Sequence, residues 1–179
     1  MSMLEVICGP MGVGKTTMLR GRLVGHRTRG ADVLAVLPAL DTRSGNGLLS
    51  HDGLPFPATS LGSLKEIKSY KFDVIGIDEA HLFEEVDVNW IQDVLEKGTQ
   101  LIVSGLATDS DGLPFGSMPT FMAMADKIHV LSGVCQCGGE ATMTRSKVPK
   151  EGKIQIGGLE SYEAVCRQCW INSHVKRIV

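Results

Sequence analysis

The 179-residue sequence lacks an excess of either charge: 18 Lys and Arg stand against 20 Asp and Glu, a formal net charge of −2. Nucleic-acid surfaces draw their affinity from clustered cations, so a nucleic-acid polymer is not an expected partner. The chain also lacks any apolar run near the roughly 18 residues that a membrane-crossing helix needs, so no membrane partner is expected. Internal repeats and low-complexity segments are absent. A glycine-rich motif already begins at Gly9, which leaves no room for an export signal ahead of it, and the expected compartment is the cytoplasm. Cysteine is scarce: there are five, an odd number, and four of them cluster near the C-terminus. In a chain expected inside the cell, that cluster reads as metal binding before disulfides.

What is present is an ordinary amount of core-forming sequence. Hydrophobic residues make up 43% and charged residues 21%, enough for one domain with a small appendix. Apolar runs at 4–8, 33–37, 72–77, 101–103 and 128–131 predict buried strands. Helical spacing predicts helices over 16–27 and over 87–97, the second with Val88, Ile91, Val94 and Leu95 on one face and Gly98 as its stop. Residues 41–62 are rich in Gly, Ser, Pro and Asp and predict an irregular loop. Short apolar strands alternating with helices mean an α/β fold, a parallel sheet covered on both faces. The character changes after Gly133, so the expected division is a nucleotide-binding domain over 1–133 and a small cysteine-bearing lobe over 134–179. Cys8 reads as a small core residue, and Met118, Met122 and Met124 as core or subunit contact.

The strongest chemical signal is Gly9-Pro10-Met11-Gly12-Val13-Gly14-Lys15-Thr16, which fits G-x-x-x-x-G-K-[ST] between a predicted strand and a predicted helix. Glycines let backbone N–H groups turn inward around phosphate oxygens, and the helix N-terminus adds its positive end. Lys15 would reach the β- and γ-phosphates of ATP, and the Thr16 hydroxyl would bind Mg²⁺. A second signal is Asp78-Glu79, directly after a fully apolar strand. Asp78 would emerge at the C-terminal edge of the sheet as a magnesium carboxylate, and Glu79 could accept a proton from a substrate hydroxyl.

Cys166-x-x-Cys169 is a good zinc half-site, and Cys135-x-Cys137 supplies a second one with a tight one-residue spacer. Zinc on all four cysteines is the expectation. The alternatives are His174 in place of Cys135, and loss of the metal.

These pieces together resemble the type II thymidine kinase family. The resemblance rests on Gly-Pro-Met-x-x-Gly-Lys-Thr-Thr at 9–17, Asp41-Thr42-Arg43, Ser50-His51-Asp52, Ile77-Asp78-Glu79-Ala80 and Pro114-Phe115-Gly116. The cysteine cluster and Ile156-Gly157-Gly158-x-x-x-Tyr162-x-x-x-Cys166-Arg167-x-x-Cys169 complete it. The match runs in order over nearly the whole chain. It implies a P-loop NTPase fold of the RecA-like kind, a parallel sheet with helices on both faces, plus a C-terminal zinc-binding lobe with a lasso loop. It implies transfer of the ATP γ-phosphate to the 5′-hydroxyl of thymidine or a related deoxypyrimidine nucleoside, with Mg²⁺ and Zn²⁺ as metals. Glu79 would be the general base. Residues 9–16, Asp41, Thr42, Arg43, Asp78 and His81 would serve the nucleotide. Met11, Leu82, Ser110, Phe115, Thr144, Ile154, Gln155, Ile156, Gly157 and Tyr162 would meet the nucleoside, and residues 145–158 would form the lid. A homotetramer or a dimer is the implied assembly.

The sequence departs from that family where the base should sit. The family shows Asp-Glu-x-Gln-Phe-Phe, and here the run is Asp78-Glu79-Ala80-His81-Leu82-Phe83; Ala107, Ser110 and Asp111 stand where an Asp-x-x-Phe-Arg pattern is usual. A thymine methyl would lose apolar contact worth about 1 kcal/mol. A kinase for a 5-modified deoxyuridine, and a nucleotide-binding module without an acceptor, are therefore kept as alternatives. Ile-Asp-Glu-Ala-His also resembles a helicase motif, but a helicase motor needs a second lobe and a basic track, for which this chain has no room.

Overall fold

A computed structural model describes residues 2–41, 47–48, 56–68, 71–83, 85–149 and 157–175. The chain runs β1 (Leu4–Cys8), α1 (Lys15–Thr28), β2 (Val33–Pro38), β3 (Gly47–Leu48), β4 (Phe56–Pro57), β5 (Thr59–Leu61), β6 (Val74–Ile77), α2 (Val88–Glu96), β7 (Gln100–Gly105), α3 (Met118–Met124) and β8 (Lys127–Val130). It continues through β9 (Gly133–Val134), β10 (Glu140–Ala141), β11 (Met143–Ser146), β12 (Tyr162–Val165) and α4 (Arg167–Val175).

Six strands form one parallel sheet in the order β5-β2-β6-β7-β1-β8. Alternation along each strand divides the core between two faces. Leu4, Val6, Cys8, Val36, Ile75, Ile77, Leu101 and Val103 pack with Ile91 and Val94 of α2 and with Met118 and Phe121 of α3. Ile7, Ala35, Leu37, Val74 and Ile102 face the other way, against Leu19 and Leu23 of α1. The expected α/β architecture with both faces covered is therefore present, and Cys8 is core, as expected.

The details differ from the sequence expectation in four places. Residues 59–61, expected as loop, add β5 to the sheet edge beside β2. Phe72 and Asp73 precede β6 rather than belong to it. In α2, Asp87 is the N-cap, its carboxylate accepting the Asn89 N–H, and Ile91 and Val94 are buried; Val88, in the first turn, is 43% exposed and does not share their face. β8 is an open edge whose Val130 is 72% exposed, not a covered strand.

Beyond Gly133 the hairpins β9–β10 and β11–β12 enclose a small cluster of Cys135, Ala141, Met143 and Val165, with Cys166, Cys169 and Trp170 packed against it.

Candidate active site

β1 delivers the phosphate loop. Gly9, Gly12 and Gly14 have φ of 146°, 78° and 92°, which L-residues with side chains rarely adopt, and a Cβ on Gly9 would collide with the Leu131 carbonyl. Lys15 is buried, and its Nζ donates to the Pro10 carbonyl at 2.6 Å. Burial lowers the Lys15 pKa, against the opposing fields of Glu79, Asp78 and Cys8. One amide of the loop is already engaged: Met11 N–H donates to Thr144 Oγ1 at 3.1 Å, and Thr144 is buried on β11.

Asp78 follows β6 and is buried. Burial raises its pKa, while hydrogen bonds from Ser104, Thr16 and the Glu79 amide and the charge of Lys15 lower it. The Glu79 N–H lies 3.0 Å from Asp78 Oδ1. Ser104 is a part that the sequence reading missed. β7 lies between β1 and β6, and the Ser104 hydroxyl spans that gap by donating to Asp78 Oδ1. A hydroxyl directly after the apolar run Leu101-Ile102-Val103 is the available signal.

Glu79 has φ 49°, the one positive φ outside glycine among the described residues. Such left-handed backbone costs of order 1 kcal/mol or more and collects at functional sites. It turns the chain into the short 3₁₀ turn Ala80–Leu82 and leaves the carboxylate beside His81, Oε2 to Nε2 3.5 Å. His81 is buried, accepts the Leu106 N–H on Nδ1 at 3.1 Å, and lies 4.6 Å from Phe115, ring centre to ring centre. Gly116 has φ 51° and abuts the His81 carbonyl, so the Pro-Phe-Gly segment closes on this imidazole.

A cavity of about 170 Å³ opens beside the loop, lined among others by Gly9, Pro10, Ala107, Thr108, Thr144 and Arg167. Of the residues expected to meet the nucleoside, Thr144 faces this cavity and Met11 is bonded to Thr144. Leu82 instead lines a separate cleft with Leu40, Ser63 and Lys65. Ser110 is buried and its carbonyl accepts the Trp170 indole N–H. Gly157 and Tyr162 are buried next to each other. Asp41 is buried just after β2. Thr42, Arg43, Ile154, Gln155 and Ile156, and the middle of the expected lid, lie outside the described residues.

The Sγ atoms of Cys135, Cys137, Cys166 and Cys169 all lie within 4.8 Å of one another, and those of Cys137 and Cys166 are 3.6 Å apart. Tetrahedral zinc with Zn–S near 2.3 Å requires sulfurs about 3.8 Å apart, so this set fits zinc. The one-residue spacer reaches because the chain folds tightly there: Cys135 N–H donates to the Gly139 carbonyl and Gly138 N–H to the Cys135 carbonyl, each at 2.8 Å. Backbone N–H groups at Cys137 and Cys166 hold the Cys135 thiol down at about 6. Hydrogen bonding with Cys137, Cys166 and Cys135 pushes Cys169 up to about 12. The His174 side chain lies outside the described residues.

Sequence comparison adds a family. The family model described as thymidine kinase matches residues 2–170. A thymidine kinase of Coprothermobacter proteolyticus is 39% identical over 173 residues, covering 91% of this chain and 87% of that protein. One from Mesomycoplasma hyopneumoniae is 36% identical over 172 residues, 93% and 94% of the two chains. One from Bacteroides fragilis is 33% identical over 171 residues, 93% and 86%.

Proposed function

This chain belongs to the thymidine kinase family, and from that membership we propose how its own residues carry the reaction. The activity is that of a thymidine kinase, transfer of the γ-phosphate of ATP to the 5′-hydroxyl of thymidine. The observation that carries the residue assignment is the meeting of Lys15, Thr16, Asp78 and Glu79 at one edge of the sheet.

The backbone of residues 9–16 cradles the triphosphate, and Lys15 places its charge on the transferring group. Thr16 and Asp78 would hold magnesium, whose charge neutralises the phosphate oxygens when it is bound. Glu79 accepts the 5′-hydroxyl proton, so the freed oxygen forms its bond to the γ-phosphorus as the bond to the bridging oxygen breaks and ADP leaves. Thr144, Gly157 and Tyr162 border the nucleoside. The four cysteines would hold zinc, fixing the lobe of residues 134–179 that carries the lid. Keeping water from the γ-phosphate is what a kinase lid contributes.

Self-association into a tetramer or dimer belongs to the same proposal. β8 supports it as an edge strand with exposed Ile128 and Val130 and backbone groups open on one side. A cytoplasmic setting is proposed as well; among the described residues no helix is long and apolar enough to cross a membrane.

The test is ADP release with Mg-ATP against thymidine, deoxyuridine, 5-substituted deoxyuridines, deoxycytidine and purine nucleosides. Turnover with thymidine supports the reading. Turnover confined to a polar 5-substituted nucleoside would show a re-specified pocket, which the small Ala107 and Thr108 in the cavity wall favour as the second reading. A silent panel with intact ATP binding would leave a binding module.

A further inference from the structure

α4 begins inside the cysteine cluster and ends its first turn on a different part of the protein. Trp170 follows Cys169 directly, and its N–H donates to the Cys166 carbonyl at 3.0 Å. Its indole N–H donates to the Ser110 carbonyl at 3.0 Å, across 60 positions of sequence. The ring lies flush under Gly112, where an added Cβ would stand 3.0 Å from Cζ2 and 3.1 Å from Cη2. A side chain at position 112 would press on this ring and would also need the left-handed φ of 78°.

The loop that Trp170 grips has its own order, and at its tip Gly112 lies beside Met143 of the cysteine lobe as well as beside Trp170. Asp109 Oδ1 accepts the N–H groups of Asp111 and Leu113, both at 2.9 Å, and Thr108 bridges Pro114. The loop is thus a small rigid unit. One of its stems is the pair Ala107 and Thr108, in the wall of the cavity beside the phosphate loop; the other is Phe115, against His81. Arg167, between the two cysteines of the Cys166-x-x-Cys169 half-site, lines the same cavity.

We propose that Trp170 is a positioning residue that ties the four-cysteine cluster to the wall of the nucleoside cavity, so that metal occupancy acts on nucleoside affinity more than on ATP affinity. The proposal rests on the reading of this cavity as the nucleoside site. A metal on Cys166 and Cys169 fixes the first turn of α4 through its sulfurs. That turn holds the indole under Gly112, and the indole holds the loop whose stem closes the cavity. The phosphate loop is reached through Met11 and Thr144 on β11, a contact that does not pass through the indole.

The experiment uses the full chain, zinc-loaded and chelator-stripped, as wild type, Trp170→Phe and Trp170→Leu. Zinc per chain is measured by atomic absorption, thymidine binding by calorimetry without ATP, and KM for both substrates in the assay. The phenylalanine keeps a ring under Gly112 and removes the indole donor, so it also serves if the leucine variant folds poorly. The expected result is thymidine affinity weakened about 5-fold by phenylalanine and 10-fold or more, roughly, by leucine, as for loss of one hydrogen bond and then of the packing as well. ATP KM stays within about twofold and zinc content is unchanged. Stripping zinc weakens thymidine binding by a larger factor in wild type than in Trp170→Leu, where the indole link is already cut and only Arg167 and β11 still join the cluster to the cavity. Unchanged thymidine affinity in both variants, an equal rise in both KM values, loss of zinc from the variants, or equal sensitivity of wild type and Trp170→Leu to stripping would each overturn the proposal. A wild type that binds and phosphorylates another nucleoside but not thymidine would instead refute the substrate reading, and the same comparison is then made with that nucleoside.

Discussion

His81 holds its Nε2 3.5 Å from the Glu79 carboxylate while its Nδ1 accepts the Leu106 N–H at 3.1 Å. A ring nitrogen that accepts a backbone N–H carries no proton, so the neutral imidazole keeps its proton on Nε2, toward Glu79. The imidazole therefore turns its N–H toward the proposed base.

His81→Leu removes that donor and leaves the Leu106 N–H without its acceptor. We expect kcat to fall about 10-fold with little change in either KM, since orientation of an acid or base is worth one to a few powers of ten. His81→Gln keeps one donor and one acceptor on the same side chain and should restore most of the loss. Steady-state kinetics of the two variants decide it, and equal rates in wild type and His81→Leu would remove the positioning role.

Glu79 separates chemistry from stability. Glu79→Gln should lose most turnover while ATP binding, read by calorimetry, persists. Glu79→Gly should also be inactive but more stable, because φ 49° costs a glycine little. Relief of about 1 kcal/mol raises Tm by roughly 2–4 °C in a domain of this size. An active Glu79→Gln would refute the base assignment.

Burial is the largest influence on the Asp78 carboxyl and raises its pKa, against the hydrogen bonds of Ser104, Thr16 and the Glu79 amide and the charge of Lys15. Its folded pKa lies above the ordinary 3.8, so folding loses stability as pH rises from 3.8 through the folded value, and the penalty is fully present above it. In metal-free protein Asp78→Asn should therefore raise Tm by a few degrees, roughly, at pH 7 and change it little near pH 3.5, while abolishing kinase activity. Thermal melts at the two pH values give the comparison; a lower Tm at pH 7 would mean that the hydrogen bonds of Ser104 and Thr16 outweigh burial.

In the metal-free cluster two sulfurs, Cys135 and Cys166, are held below the ordinary thiol value by hydrogen bonds. Cys135 falls from 9.0 to about 6, so its thiolate stabilises the fold fully above 9.0 and that contribution is lost as pH falls through about 6. Thiolate absorbance near 240 nm should show a step close to pH 6 in wild type that is reduced in Cys135→Ser, where only Cys166 remains lowered. Cys166→Ser should abolish stoichiometric zinc binding, and full zinc retention would point to a ligand outside the four cysteines.

The sequence was most legible where structure is local. The phosphate loop, its flanking β1 and α1, and the Asp78-Glu79 pair lie in short contiguous stretches whose residue types follow directly from backbone geometry. Asp87 and Gly98 mark the ends of α2 for the same reason. Non-local order was not legible. Nothing near residue 104 announces that β7 will lie between β1 and β6, so Ser104 was passed over, and Thr59-Ser60-Leu61 is too short and too polar to be told from loop without its neighbour β2. The base pocket suffered most, because Leu82, Ser110 and Thr144 come from three separate segments and the fold assigns them three different surroundings.

The position of β1 has a consequence for synthesis. This strand precedes the other five strands of the sheet in the chain, yet its two neighbours in the sheet are β7 and β8: Leu4 pairs with Leu101 and Val6 with Ile128. On a ribosome the glycine-rich loop has no sheet beneath it until about a hundred further residues have emerged, and contacts of such long range form slowly. A nascent chain stopped short of Gln100 carries the whole phosphate-binding sequence but neither of the strands that flank β1 in the sheet.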